Sequence, residues 1–188
     1  MACRNNSWKF DRLARTLIPV AVVESLFPVA LRLGRPTFIS EHRGYHLLKP
    51  PTTYETESLG FETLQADPEK DDPSHIVPSA SHWQATRVVK RPGNPYPDRM
   101  SVGRAFNCDV VLRFPVVSKL HAHFSVTASG ELRLTDLGSS NGTWHNGLRL
   151  EPGRPVLVTP RDRLSFGGVH CQVIDAAGLY DLVSGTHH

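Results

Sequence analysis

Three polar turns in the second half of the sequence carry the side chains best suited to chemistry. Arg104 ends one apolar run, Ser118 and Lys119 precede another, and Ser140 and Asn141 follow a third. Together these turns supply a guanidinium, an ammonium, two hydroxyls and a carboxamide, with no carboxylate among them. Arginine offers a planar fork to two phosphate oxygens and hydroxyls donate at short distance, so the set suits a phosphate group. The alternative is that Ser and Asn only close turns through their own backbones, and composition alone does not separate the two.

The common catalytic signatures are missing from the sequence. It contains no GxSxG elbow, no Walker lysine after GxxxxG and no HExxH pair. His121 and His123 form an H-x-H pair that would share one face of a strand. Zinc needs three or four ligands and no further ligand is marked by spacing, so a histidine bonded to neighbouring backbone is the commoner outcome. We therefore expect no enzymatic activity, no metal and no cofactor.

The stretch DLGSSNGTWHNG contains two Asn-Gly pairs, Asn141-Gly142 and Asn146-Gly147, five residues apart. An Asn-Gly pair between apolar runs is the strongest short-range signal for a tight hairpin turn. The sequence therefore predicts a turn at each pair, with almost no strand between them.

Short β-type runs alternate with turn residues from Trp83 onward. The gaps hold Pro-Gly-Asn-Pro, Ser-Gly, Asn-Gly, Glu-Pro-Gly and Gly-Gly. Many short strands separated by such turns are typical of a β-sandwich or barrel, in which loops at one end can converge on one site. The closing stretch AAGLYDLVSG predicts a short helix. The β-type runs are ATRVVK, MSVGR, DVVLRF, HAHFSVT, ELRLTD, GLRL, PVLVT, RLSFGG and HCQVID.

The N-terminal part of the chain has helical rather than alternating spacing. Residues 7–33 place apolar side chains at helical intervals after Ser7, which can cap a helix. Pro19 lies inside this pattern and predicts a kink or two shorter helices, and Gly34 to Pro36 predict its end. Residues 37–48 are mixed in character and favour neither helix nor strand.

A polar stretch separates this part from the β region. Residues 49–82 are rich in Pro, Ser, Thr, Glu and Asp, as expected of a linker. Within it, FETLQA (61–66) alternates like a strand and could pair with WQATRVVK (83–90) at the sheet edge. An extension packed on the sandwich and a separately mobile arm both remain open.

Composition and charge favour an ordinary soluble, cytoplasmic protein. Of 188 residues, 39% are hydrophobic and 21% charged, and the net charge is only +3. The basic residues are dispersed and are not interleaved with aromatic side chains on which bases could stack, so the sequence does not favour nucleic-acid binding. Leu17 to Leu33 is apolar but interrupted by prolines and Glu24, so a packing helix is favoured over a membrane anchor. Cys3, Cys108 and Cys171 are far apart and predict free thiols in a reducing compartment.

Four motifs, taken together in this order and spacing, resemble a forkhead-associated (FHA) domain. They are SVGRAFNCDVVL, VSKLHAHF, LTDLGSSNGTWHNGLRL and DRLSFGG, within roughly residues 84–177. The resemblance implies a mainly β fold, a sandwich of two antiparallel sheets, and phosphothreonine-peptide binding by loops at one end. The helix-rich part before the sandwich resembles an extension of some bacterial FHA-domain proteins.

The resemblance also implies roles for the polar residues of the turns. Arg104 would hold the phosphate, and Ser118 and Ser140 would donate hydrogen bonds to it. Lys119 stands where the family commonly has Arg or another polar residue, so it would add charge without a bidentate fork. Asn141 would grip the peptide backbone beside the phosphothreonine. The remaining motif residues would shape the loops without binding ligand: Gly103, His121, Gly142, Thr143, Asn146 and Gly147.

These readings give an expected organisation of four segments. We expect a phosphothreonine-dependent signalling adaptor that recruits a Ser/Thr kinase or a kinase substrate, with no nucleic acid and no membrane as partner. The alternative is a phosphate-independent scaffold or secretion-system component built on the same fold. Thr56 lies in the linker three residues before Leu59, so phosphorylated Thr56 is a possible ligand of its own domain. The segments are a helical extension (1–50), a linker (51–82), the FHA domain (83–177) and a C-terminal helix or tail (178–188).

Overall fold

The computed structural model describes residues 20–51 and 83–185. The first part of the helix predicted at 7–33, the strand predicted at 61–66, Thr56 and Cys3 lie outside the described residues. Cys108 and Cys171 lie within them, and both are buried free thiols. The pairing proposed between FETLQA and WQATRVVK likewise involves residues outside this range.

Within the described residues the chain forms twelve strands and two α-helices, most of them short. Nine strands coincide with the nine β-type runs of the sequence, and α2 coincides with the predicted closing helix. The strands are β1 (Val20–Val22), β2 (Tyr45–Lys49), β3 (Gln84–Arg87), β4 (Arg99–Gly103), β5 (Val110–Val111), β6 (Ala122–Val126), β7 (Leu132–Asp136), β8 (Thr143–His145), β9 (Leu148–Arg149), β10 (Val156–Val158), β11 (Arg163–Phe166) and β12 (Val169–Asp175), and the helices are α1 (Phe27–Glu41) and α2 (Ala176–Gly185).

The strands form two sheets that pack face to face around one apolar core. The seven-stranded sheet has the order β1-β3-β2-β12-β11-β8-β9, and the five-stranded sheet has the order β10-β7-β6-β4-β5. Phe166 and Val173 from the first sheet share a core cluster with Phe124 and Leu134 from the second. Alternation along the strands produces this core, since inward side chains are apolar and outward ones polar. The predicted β-sandwich with an N-terminal and a C-terminal helix is confirmed.

The N-terminal part differs from the helix predicted there. The described residues begin with β1, and α1 starts only at Phe27 and continues to Glu41. The predicted stop at Gly34 is an interruption inside α1, with φ 68° and ψ 163° at this residue. The helix resumes after it because Pro36 falls in the first turn of the second half, where a missing N–H costs little.

Strand β2 is the larger departure from the expected organisation. It lies between β3 and β12 in the seven-stranded sheet, so residues before 50 supply an interior strand of the sandwich. Its burial explains why the sequence does not reveal it. His46, Leu47, Leu48 and Lys49 are all buried, because the sandwich core covers one face and the helices cover the other. A strand buried on both faces lacks the alternation that identifies a half-exposed strand.

The two helices form a second apolar cluster on the outer face of that sheet. Phe38 of α1 and Leu179 of α2 pack with Leu48, Ala85 and Ile174 on β2, β3 and β12. Arg35 of α1 also forms an ion pair with Asp181 of α2. The described part of the extension therefore packs on the sandwich as one unit.

Strand register brings the connecting loops together at one end. Ala122 at the start of β6 is opposite Val102 near the end of β4 and Asp136 at the end of β7. Thr143 at the start of β8 is opposite Phe166 at the end of β11. We call this the loop end of the sandwich, formed by residues 103–108, 112–121 and 137–142.

Candidate functional site

Gly103 sets how closely two of the loops approach each other. A Cβ at this position would stand 2.3 Å from the carbonyl oxygen of Lys119 and 2.9 Å from its carbonyl carbon. Because no side chain fits there, the backbone of the next residue can pair across the gap, and Arg104 N–H donates to Ser118 O at 2.9 Å. Glycine at 103 is thus needed for close backbone approach.

Arg104 is half-buried and oriented by the same loop. Its Nε donates to the carbonyl oxygen of Val117 at 3.1 Å. This bond directs the guanidinium along the segment that contains Ser118. The predicted phosphate-binding arginine is therefore next to the predicted phosphate-binding serine.

Ser118 and Ser140 meet although 22 residues separate them in sequence. The Ser118 hydroxyl oxygen accepts the Ser140 backbone N–H at 3.1 Å and lies 3.4 Å from the Ser140 hydroxyl oxygen. Ser118 is buried and Ser140 is exposed. One hydroxyl thus joins the loops, and the other is presented to solvent beside it.

Asn141 links the same bend to the middle loop. Its Nδ2 donates to the carbonyl oxygen of Val116 at 2.7 Å, and the residue is half-exposed. A polar side chain that is hydrogen-bonded on one side has fewer rotamers to lose when a ligand binds.

His121 is the buried connection behind these residues. It is fully buried, with Nδ1 3.1 Å from the Ser118 backbone nitrogen and Nε2 3.0 Å from the Gly142 carbonyl oxygen. The Ser118 N–H can only donate, so Nδ1 accepts, and Nε2 carries the proton and donates to Gly142. Burial lowers the pKa of His121, which favours this neutral form. Both ring nitrogens of His121 thus bond to backbone atoms, while His123 lies half-buried in β6.

Asp136 organises the loop that carries Ser140, and the sequence reading did not single it out. Its carboxylate accepts from the backbone N–H groups of Gly138 and Ser139 and from the hydroxyls of Ser139 and Thr143. Hydrogen bonds from the two hydroxyls and the two N–H groups hold the pKa of Asp136 below its usual value, although burial alone would raise it. An Asp placed two residues before a Gly is the available signal, because such residues bond to backbone two positions ahead.

Lys119 lies at the rim of the loop end with an exposed side chain. Its carbonyl oxygen accepts the Ala105 N–H at 3.1 Å and the Cys108 thiol at 3.3 Å. Burial raises the pKa of the Cys108 thiol, so this cysteine stays protonated and donates. The main chain of Lys119 therefore holds the loops, and a role of its ammonium in phosphate binding stays a prediction.

The two Asn-Gly pairs differ from the expectation of two hairpins. Asn146 and Gly147 form the predicted two-residue turn between β8 and β9, with φ values of 50° and 84°. Asn141 and Gly142 do not, because β7 and β8 belong to different sheets. The first pair therefore lies in the crossing between the sheets, where the chain reaches the loop end.

Among residues 20–51 and 83–185 no three His, Cys, Asp or Glu side chains are grouped as metal ligands would be. In the same ranges no helix is long and apolar enough to cross a membrane.

Comparison with known proteins identifies the part of the chain that holds this loop end. The family model of the FHA domain matches residues 100–167. A curated relative, the FHA domain-containing protein PS1 of Arabidopsis thaliana, is 40% identical over 68 residues, which are 36% of this chain and 5% of the relative. The chain thus matches only a small part of that protein.

Solved FHA structures are also similar to this chain. An engineered FHA with a Myc-pTBD peptide has a TM-score of 0.46 and 18% identity, covering 75% of this chain and 98% of the other. The N-terminal FHA domain of Rad53p from S. cerevisiae, in complex with a phosphothreonine peptide, has a TM-score of 0.41 and 22% identity, covering 70% and 92%. The residues that match the family model of the FHA domain include every loop described above, so the match covers the part of this chain that carries the candidate site.

Proposed function

We propose that this chain binds proteins phosphorylated on threonine, through Arg104, Ser118, Ser140 and Asn141. FHA domains are non-enzymatic modules that recognise phosphopeptides. The observation that carries the proposal is the hydrogen-bonded arrangement at the loop end. Ser118 accepts from Ser140, and Arg104 and Asn141 each donate to a carbonyl in the loop that precedes Ser118.

The chemistry of this arrangement fits a doubly charged phosphate. The guanidinium of Arg104 can donate to two phosphate oxygens, and the Ser140 hydroxyl is an exposed donor close by. The carboxylate of Asp136, which lies behind this loop, is buried and accepts hydrogen bonds from its own loop. It therefore does not repel an anion at the surface as an exposed carboxylate would.

The loops are also held in place before any ligand binds. His121 joins the Ser118 loop to Gly142, and Arg104 N–H joins the first loop to the second. A site whose groups are already ordered loses less conformational entropy on binding. Lys119 adds a positive charge at the rim, so affinity should fall as salt is added.

The cellular role proposed for the chain is that of a signalling adaptor in the cytoplasm. In this role it recruits a Ser/Thr kinase or a kinase substrate, and the phosphate is the signal that it reads. Phosphate has a second pKa of about 6, so binding should weaken as the pH falls below that value.

Substitution of Arg104 tests the proposal directly. Arg104→Ala should weaken binding of a phosphothreonine peptide by roughly 10- to 150-fold, because a charge-assisted pair contributes about 1.5–3 kcal/mol. Arg104→Lys should recover only part of the loss, since a lysine restores charge but not the fork. Titration by fluorescence anisotropy, with thermal unfolding of each variant, gives both affinity and folding.

Arg133→Ala is the matched control for this experiment. Arg133 is an exposed arginine on β7, paired in register with Ser125 and Leu157 and distant from the loops. It should leave affinity unchanged. If the unphosphorylated peptide binds as well as the phosphorylated one, or if Arg104→Ala binds normally, the phosphate-independent scaffold is the correct reading instead.

We also propose that Thr56, once phosphorylated, is an intramolecular ligand. Lys49 at the end of β2 and Gln84 at the start of β3 are partners in register, and β2 runs in the same direction as β11, whose last residue is opposite Thr143 at the loop end. Thr56 is seven residues beyond Lys49, which allows up to about 25 Å of reach. The chain phosphorylated at Thr56 should bind an external phosphopeptide more weakly than the unmodified chain, and equal affinity would reject the idea.

A further inference from the structure

One half of the outer face of the seven-stranded sheet is basic. His170, Ser165, Trp144 and Arg149 are successive partners across β12, β11, β8 and β9. Arg163 lies on the same side of β11, two residues before Ser165. We call these five residues the basic sheet face.

Their side chains are directed away from the core. Leu164 and Phe166 of β11 belong to the core cluster, so Arg163 and Ser165 between them point to the opposite side. By the same alternation, Val169 and Cys171 point inward and His170 outward. The basic sheet face is thus the outward side of these strands.

The helices cover the other half of this sheet and not this one. The sheet residues in the second apolar cluster come from β2, β3 and β12, and within the described ranges none comes from β11, β8 or β9. Arg149 and Arg163 are exposed, and Trp144 is half-buried. The half left uncovered by α1 and α2 is therefore the half with two arginines and a tryptophan.

Arg149 connects this face to the loop end. Its guanidinium lies over the Trp144 ring, 5.6 Å from the centroid. A Cβ added at Gly142 would stand 2.8 Å from Arg149 Nε and 3.2 Å from Trp144 Cη2. Gly142 follows Asn141 directly, so the face begins within one residue of the proposed peptide-binding asparagine.

The charge of the face is unbalanced. The register partners that make up the face include no Asp or Glu. Neither Arg149 nor Arg163 forms an ion pair with any carboxylate of the described residues. An arginine positioned over an aromatic ring by a cation–π contact has less side-chain freedom to lose when it binds an anion.

We propose that the basic sheet face binds an acidic stretch of the same phosphoprotein whose phosphothreonine occupies the loop end. This inference rests on the proposed function, because the phosphothreonine brings the acidic stretch to the face. Trp144 supports the Arg149 guanidinium, and Arg163 extends the positive surface along β11. The partner is thus selected by carboxylates flanking the phosphothreonine as well as by the phosphate.

Three phosphothreonine peptides of about a dozen residues test this surface on the full chain. One has Gln on both sides of the phosphothreonine, one has Glu in place of Gln on the N-terminal side, and one has Glu on the C-terminal side. One acidic peptide should bind about 2- to 10-fold more tightly than the neutral one at low salt, and the preference should shrink at high salt. Arg149→Gln should remove the preference, which is measured as a ratio of dissociation constants within each protein.

The controls distinguish this proposal from the proposed phosphothreonine binding on which it rests. Arg133→Gln removes an exposed charge from the other sheet and should keep the preference. Equal affinity for all three peptides would overturn the proposal. This holds also if the reason for the equal affinity is that the chain's own acidic segment at 52–82 covers the face. If Arg133→Gln lost the preference for the acidic peptide as fully as Arg149→Gln does, the proposal would also be overturned, because the preference would then reflect general charge attraction. If the neutral peptide binds only when phosphorylated and requires Arg104, the proposed function stands whichever way the preference falls.

Discussion

The two Asn-Gly pairs lie at opposite ends of the three-residue strand β8 and have different partners. At the loop end, Asn141 donates to Val116, and the carbonyl of Gly142 accepts from His121. At the other end, Asn146 donates to Asp162 and accepts from the Arg163 N–H. The first pair thus bonds to residues more than 20 positions away in the sequence, and the second bonds to the start of β11 and the residue before it.

This difference shows that one dipeptide serves two purposes. The backbone of Asn146-Gly147 takes the left-handed conformation that Asn and Gly tolerate, which closes a hairpin. The pair at 141–142 instead uses the short Asn side chain to fasten one loop to another. We therefore expect changes at the first pair to affect ligand binding and changes at the second to affect only folding stability.

Removing His121 should have the largest effect, because it breaks the anchor of the first pair. His121→Ala removes the hydrogen bonds to the Ser118 N–H and to the Gly142 carbonyl, and it opens a cavity. The free energy of unfolding should therefore fall by about 3–4 kcal/mol. Phosphopeptide binding should also be lost. Chemical denaturation and anisotropy measure the two.

His123→Ala is the control for that variant. His123 is two residues away and half-buried, and its Nδ1 has no hydrogen-bond partner among the described residues. Its loss should cost clearly less stability and leave binding intact. Equal effects of the two substitutions would contradict the assigned role of His121.

Removing the Asn141 side chain should have the next largest effect, and mainly on affinity. Asn141→Ala loses the bond to Val116 and the proposed contact with the peptide backbone, so the dissociation constant should rise by about 10-fold or more. The melting temperature should change little, since the residue is half-exposed. A large fall in melting temperature with normal affinity would show that the first Asn-Gly pair serves folding stability and not binding.

Asn146→Ala should give the opposite result at a somewhat smaller scale. The variant loses the side-chain hydrogen bonds to Asp162, to His145 and from the Arg163 N–H, and alanine tolerates the left-handed φ of 50° less well than asparagine, so stability should fall by about 1–2 kcal/mol. Affinity for a phosphothreonine peptide should not change. Asn146→Gly restores the backbone freedom, and its smaller loss would separate the conformational cost from the hydrogen bonds.

The smallest effect concerns pH and a residue that belongs to neither pair. Burial, together with Arg87 and His42, lowers the pKa of His46 to about 4, and both of its ring nitrogens lack partners among the described residues. The unfolded chain, with a histidine pKa near 6.5, then binds more protons than the folded one between these values. Stability should therefore fall by about 1 kcal/mol between pH 8 and pH 6 and fall further toward pH 4.

His46→Leu isolates this contribution. Leucine has no group to protonate and leaves no buried nitrogen unpaired, so stability at pH 8 should be equal or higher and the pH dependence weaker. Denaturant titrations at pH 8, 7 and 6 check the slope. An unchanged slope would assign the pH dependence to other groups, such as His121, whose pKa burial also lowers.

Much of the sandwich could be predicted from the sequence because its strands are half-exposed. In β6, buried Ala122 and Phe124 alternate with His123 and Ser125, and such alternation is visible in the letters. The polar turn residues could likewise be grouped, since the motifs order them. Their positions in the loops agree with that grouping, while their contacts with a phosphopeptide stay predictions.

The features that could not be predicted depend on contacts distant in sequence. Strand β2 is covered on both faces, so its letters do not distinguish strand from helix. The position of Arg149 beside Gly142 depends on the pairing of β8 with β9. The short run GLRL contains this arginine but does not predict its contact with Gly142. Asp136 was visible only as one acidic residue before a turn.

The interior position of β2 decides how this protein can be divided. A fragment beginning at residue 83 would lack the strand between β3 and β12, and the exposed edge of β12 would invite aggregation. A single proteolytic cut between residues 52 and 82 would be different. The N-terminal piece would stay paired through β2, held by two neighbouring strands and by the apolar cluster of α1 and α2. The chain is thus suited to splitting into two pieces that reassemble.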